Sequence, residues 1–217
     1  MIRSCSTIGV LLVAGVLAVS VGTTEAHQLD EYLQAARIDA GRDRIVVELS
    51  LTPGVAVAPR ILQLLDGNGD GRIGKQEVDS YARGVLGNLE LSVDGTVVPL
   101  ALERVDCPSM ETMRDGTGTI RLEARTSSGL SAGTHRLRFV NAHEAATSVY
   151  LVNALMPSDP GITIAAQHRD VRQRSADIEV VVAHAYATTV WILALAGAFA
   201  ALTLFRFSGH ALSGAHR

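Results

Sequence analysis

The sequence predicts a mainly β fold, an antiparallel β-sandwich of the immunoglobulin-like kind, with one helix-loop-helix inserted among the strands and an apolar segment at each end. Three observations lead there. Short runs that alternate apolar and polar residues recur between turn signals. One stretch, residues 58–87, switches to helical periodicity instead, and residues 8–21 and 187–205 contain no charged side chain.

The leading segment has the layout of an export signal. Arg3 gives the positive start, Ile8 to Val21 the apolar run, and Thr24-Glu25-Ala26 a small-residue cleavage site. Residues 1–26 are therefore read as a signal peptide, and cleavage after Ala26 makes His27 the first residue of the mature chain. Cys5 leaves with the signal, so Cys107 is the one mature thiol and no internal disulfide forms. Stability must then rest on a core and on any bound metal.

The strands follow in order from Leu33 to Asp39 and from Arg44 to Leu51, joined by the turn Ala40-Gly41-Arg42-Asp43. Leu89 to Val93 and Thr96 to Glu103 flank Asp94-Gly95, a strong two-residue hairpin signal. Further strands are expected at Thr117 to Arg125, His135 to Asn141, Ser148 to Asn153, Ile162 to Gln167 and Asp177 to Ala183. Many short strands with Gly-rich connections favour a sandwich over an alternating α/β design. The domain spans residues 27–183, and its helical insert comprises Ala58 to Leu65 and Lys75 to Leu86, each with apolar residues at helical spacing.

Ala187 to Phe205 is long enough, at about 1.5 Å per residue, to cross a bilayer as a helix. Tyr186 and Trp191 near its start, and Phe205 and Phe207 near its end, suit the two interfaces. Arg206 places the tail 206–217 in the cytoplasm. The chain is expected in the inner membrane of a bacterium as a single-pass protein with a periplasmic or extracytoplasmic domain. Ala194 and Ala198, and Gly197 and Ala201, place small residues four apart, a spacing that admits a partner helix from another membrane protein. The 217 residues carry a net charge of -3 without any basic run, and no RNA-recognition, zinc-finger or basic-helix signature occurs, so nucleic acid is excluded as a partner.

Between the two helices, Asp66-Gly67-Asn68-Gly69-Asp70-Gly71-Arg72-Ile73-Gly74-Lys75-Gln76-Glu77 fills every specified position of an EF-hand calcium loop. Calcium is a hard ion that collects about six to eight oxygens. Asp66, Asn68 and Asp70 offer side-chain oxygens, Arg72 its backbone carbonyl, and Glu77 both oxygens of one carboxylate. Gly74 leaves its place to a water, Gly71 permits the sharp bend, and Ile73 is expected in a short strand. With three carboxylates and no second loop, the site is expected to be weak and to serve a structural role.

Other residues carry less. A mature chain starting at His27 offers an α-amino group and an imidazole, which together chelate Cu(II) or Ni(II). His135, His143, His168 and His184 lack the spacings of zinc sites. Catalysis is not expected: Cys107, before Pro108, is placed in a turn, and a hydrolase reading finds no nucleophile elbow and no Gly-rich phosphate loop.

Three stretches carry a wider similarity: Ala26-His27-Gln28-Leu29-Asp30-Glu31-Tyr32-Leu33-Gln34, Leu51-Thr52-Pro53-Gly54-Val55, and Ser148-Val149-Tyr150-Leu151-Val152-Asn153. With the EF-hand pattern they resemble the exported N-terminal region of bacterial HupE/UreJ-type membrane proteins, over most of residues 27 to 183. The resemblance implies a link to nickel or cobalt supply. HupE/UreJ proteins have several membrane spans and one is expected here, so transport is not carried over as an expectation. What remains is an accessory role, in which the domain meets a separate membrane partner or delivers nickel, cobalt or copper at His27.

Overall fold

The computed structural model describes residues 30–184. The expected signal peptide, His27, the expected span 187–205 with its small-residue positions, and the expected tail 206–217 lie outside the described residues. Among those described, no helix is long and apolar enough to cross a membrane.

Among the described residues, from Tyr32 onward, ten strands and three helices follow one another as β1 (Tyr32–Ala40), β2 (Ile45–Pro53), α1 (Ala58–Leu65), α2 (Lys75–Leu86), β3 (Leu89–Val93), β4 (Thr96–Val97), β5 (Ala101–Asp106), α3 (Met110–Arg114), β6 (Ile120–Arg125), β7 (Gly133–Asn141), β8 (Ser148–Ala154), β9 (Ile162–Arg169) and β10 (Ser175–Val182). They form two five-stranded sheets, β5-β6-β2-β1-β8 and β4-β3-β7-β10-β9. In β2, Ile45, Val47, Leu49 and Leu51 are buried while the residues between them are partly exposed, the period of two that a half-buried strand requires. From the second sheet Leu91, Leu137, Phe139, Ile178 and Val180 join the same core. Burying each such side chain contributes about 1.5–3 kcal/mol.

The helical pair closes one end of this core. Ile61, Leu62 and Leu65 of α1, and Tyr81, Ala82 and Val85 of α2, are buried at the three- and four-residue spacing of a helix face. Pro59 sits in the first turn of α1, where its missing N–H removes no helix bond. The opposite end holds the β1–β2 turn. There Arg42 meets Asp159 at 2.7 Å and donates through Nη2 to the Ala183 carbonyl at 2.8 Å. Since β2 leads from that turn to the helices over nine residues, Ala183 and the helical insert are separated by roughly 26 Å of strand.

Three points differ from expectation, two of them corrections. The sandwich is not wholly antiparallel, because β8 pairs parallel to β1, Tyr32 opposite Ser148 through Ile38 opposite Ala154. Thr96 to Glu103 is not one strand: β4 stays with β3, Pro99 interrupts the ladder, and the chain crosses to the other sheet as β5. The third is an addition. Met110–Arg114 forms a short helix whose first turn is capped by Ser109, with Oγ accepting from Thr112 N–H at 3.2 Å, and Met113 fills the core.

Candidate calcium loop and the buried network beneath it

The loop from Asp66 to Glu77 folds around its own oxygens. Asp66 ends α1, and its carboxylate accepts from the N–H of Asp70 at 3.0 Å and of Gly71 at 2.9 Å. The Asn68 side-chain oxygen also accepts from Asp70 N–H, at 2.8 Å, and Asp70 accepts from Arg72 N–H at 2.8 Å. Gly69 and Gly71 adopt φ of 72° and 77°, the left-handed region that a side chain strains to enter, and these two residues turn the chain back on itself. Asp66, Asn68 and Asp70 are thus drawn together by backbone donors.

Glu77 closes the ring from the far side. It is the third residue of α2, and its carboxylate accepts from Gly74 N–H at 2.9 Å and from Asn68 N–H at 3.2 Å. The first bond caps the helix where Gly74 has no side chain to do so. The second joins the last residue of the loop to its third. Ile73 forms no strand, contrary to the sequence expectation; it packs, partly buried, against the hydrophobic core. With no second loop beside it among the described residues, it has no strand partner.

All the side chains gathered here offer oxygen, the donor set of a hard cation and not of a zinc or copper ion. Among the described residues no three Asp, Glu, His or Cys side chains converge as a ready metal cage. In the loop, both Glu77 oxygens accept from backbone N–H groups, those of Asn68 and Gly74. The donor chemistry fits calcium, and the carboxylate that would supply two oxygens stands across the loop from Asn68.

Directly under α2 lies a polar network that sequence reasoning missed. Tyr81, one helical turn beyond Glu77, shares a hydrogen bond with Tyr32 at 2.6 Å, and its hydroxyl lies 3.2 Å from His143 Nε2. The Gln34 amide donates to the His143 carbonyl at 2.9 Å and to Ser148 Oγ at 2.6 Å, and its oxygen accepts from Asn141 at 2.8 Å. Tyr150 donates to the His143 carbonyl at 2.7 Å, and Asn141 accepts from His143 N–H at 2.9 Å. Both Tyr32 and Tyr81 meet the imidazole edge-on. Burial pushes the Tyr32 and Tyr81 hydroxyls above their ordinary pKa and the His143 imidazole below its own, so all three are neutral at pH 7. From α1, Arg60 pairs with Glu144 at 3.0 Å, so both helices grip the segment between β7 and β8.

A Ser-His-Asp arrangement also exists, at the other end of β7. His135 Nδ1 lies 2.7 Å from Asp94, and Nε2 lies 3.4 Å from Ser131 Oγ but 3.0 Å from the Ser131 carbonyl. A carboxylate on one ring nitrogen and a carbonyl on the other both ask for N–H, so the ring favours its charged form. The Asp94 hydrogen bond raises its pKa accordingly. A general base needs the opposite, a free lone pair toward the serine. Cys107 is half-buried between β5 and α3, and burial pushes its thiol up, away from the thiolate a nucleophile requires. Comparison of the chain with protein-family models, curated proteins and solved structures returned no match.

Proposed function

We propose that this protein is a calcium-binding interaction module, exported and held at the outer face of the bacterial inner membrane by the helix 187–205, with an immunoglobulin-like sandwich carrying an EF-hand insert. The observation that supports it is the complete loop from Asp66 to Glu77, whose Asp66, Asn68, Asp70 and Glu77 side chains belong to one hydrogen-bonded set around two left-handed glycines. Arg72 adds its carbonyl. The ion's work is structural: Glu77 and Tyr81 occupy successive turns of α2, so a ligand held at Glu77 fixes the helix that Tyr81 docks on the core.

An anchor following Ala183 sets the orientation. The calcium loop belongs to the end of the sandwich away from that exit, where it faces outward and can serve a partner. Calorimetric titration of the full chain with calcium chloride should give one site with a dissociation constant of about 10⁻⁴–10⁻³ M, abolished by Glu77→Gln. Absence of heat with the unaltered chain would overturn the reading.

A further inference from the structure

We propose that the cleft between α2 and β5 receives an extended peptide segment of a partner protein, added beside β5 as an edge strand with an acidic side chain set against Arg83. This gives the interaction role proposed above its surface, and rests on that role.

The sheet order ends at β5, which among the described residues pairs with β6 alone. No described strand pairs with its other edge, α2 approaches it, and none of its six residues is buried. Along that strand, α2 forms the opposite wall of a cleft of about 710 Å³, within the range of small-ligand sites at roughly 300–1,000 Å³. The apolar contributions come from Val78 on the helix and from Leu102, Val105 and Cys107 on the strand side. Because burial keeps the Cys107 thiol protonated, it behaves there as a small apolar group. An open strand edge opposite a helix is the geometry in which peptides bind by strand addition, with main-chain hydrogen bonds for affinity and alternate side chains for specificity.

Charge selects the occupant. Lys75 pairs with Asp79, Arg104 with Asp106 and Glu123, and Arg125 with Glu103. Arg83, in the same cleft, has no ion pair and no side-chain hydrogen bond among the described residues. A carboxylate on the incoming strand satisfies it, and the planar guanidinium favours that partner over a neutral one. The register irregularity between Leu102 and Arg104 bends the edge and, with the charges around it, discourages indiscriminate stacking of strands. Recognition then depends on side chains: an apolar one over Val78 and Val105, an acidic one at Arg83.

The test pans a phage library of random octapeptides against the full chain in detergent micelles, with calcium calorimetry run on the same preparation. Enriched peptides should carry an acidic residue, protect β5 amides from hydrogen exchange, and bind Arg83→Glu at least tenfold more weakly. Replacing the peptide's acid by Arg should restore binding to Arg83→Glu. No enrichment, equal binding to Arg83→Glu, or protection confined to other elements would each overturn the proposal. Val78→Arg, which fills the cleft from the helix side and leaves the β5 sequence unchanged, should abolish binding, and unchanged affinity there would also overturn it. Calcium heat without peptide binding sinks the cleft proposal and leaves the calcium reading standing; peptide binding without calcium heat does the reverse.

Discussion

Two polar networks meet at α2, and they are built on opposite plans. The loop network is exposed and local, with partners separated by at most nine positions, as between Asn68 and Glu77. The network around His143 is buried and non-local, with Gln34 reaching Asn141 and Ser148 across more than a hundred positions. In the first, water can replace any lost bond, so its side chains remain available to a ligand. In the second no water competes, and each group depends on its protein partner. One network is suited to binding and the other to holding the helical insert in place.

Replacing Gln34 by Ala should break this contrast most severely. It strips partners from the His143 carbonyl, Ser148 and Asn141 at once and should cost about 3 kcal/mol in urea unfolding, equally with and without calcium. Tyr81→Phe leaves the Tyr32 hydroxyl without its partner and should cost roughly 1–2 kcal/mol by the same measurement. In the exposed network the backbone matters more than any single bond. Gly71→Ala, at φ 77°, should lower stability by about 1 kcal/mol and weaken calcium binding in calorimetry as well.

The two histidines sharpen the comparison through pH. Burial lowers the pKa of His143 in the folded chain, so the unfolded chain takes up the proton first. Stability should fall as pH drops below about 6.5, the ordinary value of the unfolded side chain. His135 has the opposite sign, because Asp94 raises its pKa: its contribution is complete below about 6.5 and is lost as pH rises through the raised folded value. Urea midpoints between pH 5 and 8 should lose their acid fall in His143→Gln and retain it in His135→Gln. The His135 effect is expected to be the smallest, since Asp94 stands half in water.

The same distinction decides how much could be read before folding. Both helices, Ala58–Leu65 and Lys75–Leu86, and the hairpin turn at Asp94-Gly95 match the expected positions, because periodicity and turn chemistry are local signals. The loop side chains are legible for the same reason. The parallel pairing of β8 with β1 is a choice made between distant strands, and nothing within Ser148 to Ala154 encodes its direction. Gln34, Asn141 and His143 are likewise single polar residues in or beside strands, unremarkable until the fold assembles them. The helix at Met110 had a cap signal in Ser109, but five residues are too few for periodicity to register.

The central claim concerns the ion. Thermal unfolding of the full chain in detergent, with chelator and then with calcium at about a hundred times its dissociation constant, measures it directly. Binding at the loop should add about 2.7 kcal/mol, or roughly 5–10 °C for a domain of this size, and Glu77→Gln should show no such rise. An unchanged melting temperature on adding calcium, or a rise that survives Glu77→Gln, would contradict the account.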